Sequence, residues 1–142
     1  MLFASITCNT EEIADLLATG LGEAGVTTEV KQIFAVDAAE LSGYDIVALG
    51  SYTWMEGELA DECLALYHAL DTVDLSGKLG LAFGSCDAAY SPYGAAVDLL
   101  DDKLRSRGAL VAEPLKVPVW PGPDAKERCV QAGRALGGRR AA

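Results

Sequence analysis

Basic residues are nearly missing from the first half of this chain. Residues 1–77 hold fourteen acids and one base, Lys31, a net charge of −13, whereas residues 78–142 hold seven acids and ten bases, or +3. A surface that tracks nucleic-acid phosphates needs clustered Lys and Arg, so the acidic half is not one. An acidic face instead suits steering of a basic protein partner, or plain solubility. Histidine occurs once, as His68, which leaves a His-dependent triad or a His-built metal site without its parts. The four cysteines, Cys8, Cys63, Cys86 and Cys129, form neither a C-x-x-C pair nor a zinc spacing, and Cys63 and Cys129 read as small buried hydrophobes. No apolar run reaches bilayer length and no secretory pattern opens the chain, so the expected location is the cytoplasm, with no membrane contact. Internal repeats and low-complexity segments are also missing.

What the chain does have is a core. About half of its 142 residues are apolar (51%), enough for one domain across the whole chain. Strands are expected at Met1–Ala4, Val26–Phe34, Tyr44–Gly50 and Lys78–Gly84. A fifth is expected at Ala109–Val111, resuming over Leu115–Val119. Helical spacing of apolar residues places helices near Thr10–Ala24 (Ile13, Leu16, Leu17 and Leu21 on one face), Leu59–Leu70, Tyr93–Arg107 and Asp124–Leu136. A short helix or turn falls at Asp37–Leu41, and residues 137–142 read as a frayed basic tail. The run Ile46-Val47-Ala48-Leu49 has the apolar continuity of a strand covered on both faces. Strands alternating with helices across short connections predict an α/β sandwich of three layers around a five-stranded parallel sheet, order 2-1-3-4-5. Its ligand edge lies at the carboxyl ends of strands one and three, where the order reverses.

Three polar loops emerge at that edge. The first, Ser5-Ile6-Thr7-Cys8-Asn9-Thr10, joins a strand to a helix N-terminus and is rich in small hydroxyl and amide side chains. Unpaired N–H groups and the helix dipole make it a candidate phosphate cradle; a helix start capped by Asn9 or Thr10 is the simpler alternative. The second runs Ser51-Tyr52-Thr53-Trp54-Met55-Glu56-Gly57-Glu58, and the third Ser85-Cys86-Asp87-Ala88-Ala89-Tyr90-Ser91-Pro92-Tyr93. Trp54 and Tyr90 stand in loops, where aromatic rings can wall a slot for a flat ligand or simply pack the loop.

The three motifs S-I-T-C-N-T-E, G-S-Y-T-W and F-G-S-C-D-A-A-Y, in this order and at these distances, resemble those of the short-chain bacterial flavodoxins. The resemblance covers essentially the whole chain. Between strand five and the last helix there is no room for the roughly 20-residue insertion of long-chain members. It implies a flavodoxin-like fold and non-covalent flavin mononucleotide (FMN). The protein would be an electron carrier rather than an enzyme, shuttling single electrons at low potential between a reductase and redox enzymes. Ser5, Ile6, Thr7, Cys8, Asn9 and Thr10 would form the phosphate loop, with Ser5, Thr7, Asn9 and Thr10 as its donors. Thr53 would lie beside the ribityl chain, and Trp54 and Tyr90 would flank the isoalloxazine. Asp87 would approach its pyrimidine end. The Met55 carbonyl would accept from N5 of the one-electron-reduced flavin. Tyr52, Glu56, Gly57, Ser85 and Cys86 complete the loops against the cofactor.

Two positions depart from the family pattern. Cys8 stands where the phosphate loop usually has Gly, and Met55 where the turn after the tryptophan usually has Gly. The first restricts φ; the second implies a one-electron-reduced state less stabilised than is usual for the family. Glu56, Glu58, Asp61 and Glu62 would form an acidic docking face for transient redox partners, with the protein a monomer. The alternatives are an FMN-dependent quinone or nitro reductase, and a degenerate flavodoxin kept as a binding module. A receiver domain lacks its acids and phosphoacceptor Asp here.

Overall fold

The computed structural model describes residues 1–54, 57–89 and 92–141. Its central sheet is parallel, and its strands are β1 (Leu2–Phe3), β2 (Lys31–Gln32), β3 (Ile46–Gly50), β6 (Leu79–Cys86), β7 (Leu110–Val111) and β8 (Leu115–Pro118). The order is β2-β1-β3-β6, with β7 and β8 both on the far side of β6. β7 pairs with its first half (Leu79↔Leu110) and β8 with its second (Phe83↔Leu115). The expected order 2-1-3-4-5 holds, its fifth position filled by two short strands. A small antiparallel hairpin, β4 (Thr53–Trp54) with β5 (Glu58–Leu59), forms in the second loop. The helices are α1 (Asn9–Glu23), α2 (Asp61–Ala69), α3 (Ala95–Ser106) and α4 (Pro123–Ala141).

Alternation along the strands divides the core into two halves. Leu2, Val47, Leu49 and Ala82 face one side with residues of α2 and α3. Phe3, Ala48, Leu81 and Phe83 face the other with α1 and α4. Both faces are therefore covered, as a parallel sheet requires. Cys63 and Cys129 are fully buried (0% exposed each), and His68 is a surface residue.

Several expected boundaries move. The second strand shrinks from Val26–Phe34 to Lys31–Gln32, because β1 offers only Leu2 and Phe3 as partners. A 3-10 turn, Ile33–Ala35, follows at once. The fourth strand extends to Cys86, drawing Ser85 and Cys86 out of the expected loop. The last helix does not stop at Leu136: it runs to Ala141. Gly137 sits against α1, where a Cβ would lie 2.6 Å from the Ala24 side chain, and Arg140 pairs with Asp45 at 2.9 Å. Those contacts hold as helix a segment whose glycines and charges read as a tail.

Candidate functional site

The carboxyl ends of the strands open on a cavity of about 890 Å³. It is lined by Ser5, Ile6, Thr7, Asn9 and Thr10 after β1, and by Tyr52, Thr53 and Trp54 after β3. Ser85 and Asp87 line it at the end of β6, with Gly94 before α3 and Val119 and Trp120 after β8.

The first loop turns sharply into α1. Cys8 precedes the helix in the left-handed region, φ 65°, the one positive φ at a non-glycine among the described residues. Its carbonyl accepts from Glu12 N–H at 2.9 Å, starting the helical ladder. The N–H groups of Asn9, Thr10 and Glu11 come before that bond, so the ladder leaves them free, and no side chain caps the helix. The alternative of Asn9 or Thr10 as cap is thus overturned: both lie inside the helix, and Cys8 holds the cap position without a capping bond. Thr10 is 1% exposed, and its Oγ1 and the Ser5 Oγ are both buried with no hydrogen-bond partner. A buried hydroxyl left unpaired costs about 1–3 kcal/mol, a cost that an oxygen-rich ligand in this cavity removes.

A left-handed φ at a residue with a Cβ costs about 1–2 kcal/mol. Cys8→Gly relieves that strain but loosens the unfolded chain, so a net stabilisation of about 0.5 kcal/mol is expected. Cys8→Val, β-branched, should lose about 2 kcal/mol or more. Urea midpoints of the two variants check the order; equal midpoints would mean that φ is not the constraint.

The second loop is braced from beneath. Tyr52 donates to both Glu62 carboxylate oxygens at 3.2 Å. Burial, and then the charge of Glu62, pushes its phenol up to about 12, so it remains a donor. Its ring meets Trp54 edge-on at 6.3 Å, presenting Trp54 to the cavity at 41% exposure. Thr53 Oγ1 accepts from Ala96 N–H at 3.3 Å, in the first turn of α3, and keeps its hydroxyl proton for a ligand. In the third loop Asp87 accepts from Ala89 N–H at 2.9 Å, closing a tight turn.

Ten of the expected site residues therefore converge on one cavity: Ser5, Ile6, Thr7, Asn9, Thr10, Tyr52, Thr53, Trp54, Ser85 and Asp87. Cys86 does not line the cavity. Its side chain is 1% exposed and packs in the core, its thiol pushed up to about 11 by burial, because β6 runs two residues further than expected. Neither Cys8 nor Gly57, the latter at φ 103° in the hairpin, lines the cavity. Met55, Glu56 and Tyr90 lie outside the described residues. Gly94, Val119 and Trp120 were not anticipated. The signal available for Trp120 was an aromatic set between a strand and the breaker Pro121-Gly122-Pro123.

Asp87 is the one charged side chain lining the cavity among the described residues. An anion here would rest on neutral hydroxyls and backbone N–H groups, the chemistry of a helix N-terminus. The family model described as flavodoxin matches residues 1–133. The chain belongs to the flavodoxin family. Probable flavodoxin 2 of Bacillus subtilis (strain 168) is 37% identical over 136 residues, 94% of this chain and 90% of the relative. The flavodoxin of Maridesulfovibrio salexigens is 37% identical over 87% of this chain and 88% of its own. Among solved structures, oxidised flavodoxin 1 from Bacillus cereus superposes with a TM-score of 0.93 at 45% identity, covering 98% of this chain and 95% of that one. A flavodoxin is an FMN-containing electron carrier and not an enzyme, and that is the function of this chain. No helix among the described residues is long and apolar enough to cross a membrane.

Proposed function

We propose that this flavodoxin shuttles single electrons at low potential between a reductase and redox enzymes, with FMN seated in the cavity described above. The observation that carries the placement is the pair of buried, unpartnered hydroxyls, Ser5 Oγ and Thr10 Oγ1, beside an uncapped helix N-terminus. Ser5, Thr7, Asn9, Thr10 and the first N–H groups of α1 hold the phosphate; Thr53 binds the ribityl chain; Trp54 and Tyr90 flank the ring; Asp87 meets its pyrimidine edge. Bound FMN supplies the one-electron chemistry. The protein orients it and sets the charge around it. The nearby carboxylates disfavour added negative charge, which lowers the potential for taking up an electron.

Titrating the cofactor-free full chain with FMN should shift the flavin absorption bands and quench flavin emission at a stoichiometry of one per chain. Free-flavin spectra throughout would leave the chain a binding module without a cofactor. Glu58 in β5 and Asp61 at the start of α2 are exposed and form the docking face for basic partners. Glu62, tied to Tyr52, braces the ring loop instead. Glu56 lies outside the described residues. The carrier works as a cytoplasmic monomer, so it should sediment at the mass of one chain. Its reduction by a basic partner should fall about tenfold as salt rises from about 0.05 to 0.5 M, since screening shortens to a few ångströms there. A flat salt profile would remove the acidic face from docking.

A further inference from the structure

Trp120 is the most exposed large hydrophobic residue among those described, at 89%, yet it lines the cofactor cavity. It is held at that rim. Val119 N–H donates to the Cys86 carbonyl at 3.1 Å, tying the end of β8 to the end of β6. Pro121 and Pro123 limit the backbone just beyond it. The connection it belongs to enters α4, and Lys126 in the first turn of that helix pairs with Glu12 of α1 at 2.8 Å. That pair brings the start of α4 to the start of α1, and Trp120 lines one cavity with Ser5, Thr7, Asn9 and Thr10 of the first loop and with Trp54 of β4. Ile6, itself 63% exposed, lines the same cavity.

The phosphate loop has a specific deficit. Its donors carry no charge, and no Lys or Arg lines the cavity among the described residues. Hydrogen bonds from neutral donors to a dianion strengthen when water is kept away from them. An indole can exclude water over a large area and adds one N–H donor without a charge. We propose that Trp120 covers the phosphate–ribityl end of bound FMN, and that this cover sets the preference of the site for the phosphorylated flavin over riboflavin. The inference rests on the placement of FMN given above and goes beyond it.

The test uses the full chain freed of cofactor and titrated with FMN and with riboflavin. Trp120→Ala should weaken FMN binding about tenfold and riboflavin binding less than about twofold, and Trp120→Phe should recover part of the loss. The chain has two tryptophans, so the indole N–H resonance of Trp120 is assigned by its loss in Trp120→Phe. It should move on addition of FMN and stay nearly still with riboflavin. Equal losses for the two flavins would place Trp120 on the ring and overturn the phosphate-end assignment. An unchanged FMN affinity with a silent resonance would overturn any cofactor contact. If wild type itself binds no FMN, the placement of the cofactor fails first, which is a separate result.

Discussion

Replacing Thr10 with valine will weaken FMN binding about ten- to a hundredfold, the value of one hydrogen bond to a charged group, and will stabilise the cofactor-free chain by about 1 kcal/mol. The two signs are opposed because the same atom is responsible for both. Thr10 Oγ1 is buried without a partner, so in the free protein the hydroxyl has been taken from water for no return. Valine keeps the shape, has a similar helix propensity, and removes the polar group. A bound phosphate reverses the balance, since it offers the oxygen that the hydroxyl lacks. Urea unfolding without FMN, followed by FMN titration of the same samples, reads both halves. At saturating FMN the order of stabilities should invert, because only the folded state binds the cofactor. A valine variant that loses stability without FMN would show that the hydroxyl already has a partner in the free protein.

The second large effect lies away from the site. Gly20 and Gly133 sit where α1 and α4 cross. A Cβ on Gly20 would lie 2.0 Å from the Val130 carbonyl oxygen, and one on Gly133 2.2 Å from the Leu17 carbonyl oxygen. In an isolated helix, Gly→Ala stabilises by about 1 kcal/mol. Here Gly20→Ala should cost about 3 kcal/mol, because the atoms it meets are backbone and the helices must separate. Gly22→Ala, in the same helix with nothing within 4 Å of the added methyl, should instead gain up to about 1 kcal/mol. Parallel urea curves for the two variants check the contrast. If both are stabilised, propensity governs this interface and the close crossing does not. A separated α1 would also shift the first turn that faces the cavity, so Gly20→Ala should weaken FMN binding as well as stability.

The burial of the sheet was written in local sequence. Ile46-Val47-Ala48-Leu49 has no polar side chain, and a strand without one must be covered on both sides. The helix α1 is equally plain, since Ile13, Leu17 and Leu21 repeat at helical spacing and are all buried. The first loop was legible as a candidate anion site because its chemistry is contiguous: a strand, six residues of which four (Ser5, Thr7, Asn9 and Thr10) are small and polar, and a helix start.

The rest depended on neighbours that no local pattern names. The hairpin β4–β5 has two residues in each strand, too few for an alternation to show. The position of Cys86 followed from β8, whose pairing Cys86↔Pro118 extends β6 and turns the thiol into the core. The tail of α4 is poor in helix formers at Gly137 and Gly138, but it packs across α1 and pairs with Asp45; tertiary contact outweighs propensity there. Trp120 could be recognised as an aromatic in a broken stretch, but not as a wall of the cavity.

Sequence alone determined which segments are buried and what chemistry each loop can offer, because periodicity and side-chain type are local properties. Only the tertiary structure decided which loops meet, which hydroxyls lose water without gaining a partner, and where two helices come too close for a methyl group. Those depend on packing between residues far apart in the chain, as when Gly20 meets Val130 or Trp120 joins Ser5 at one cavity.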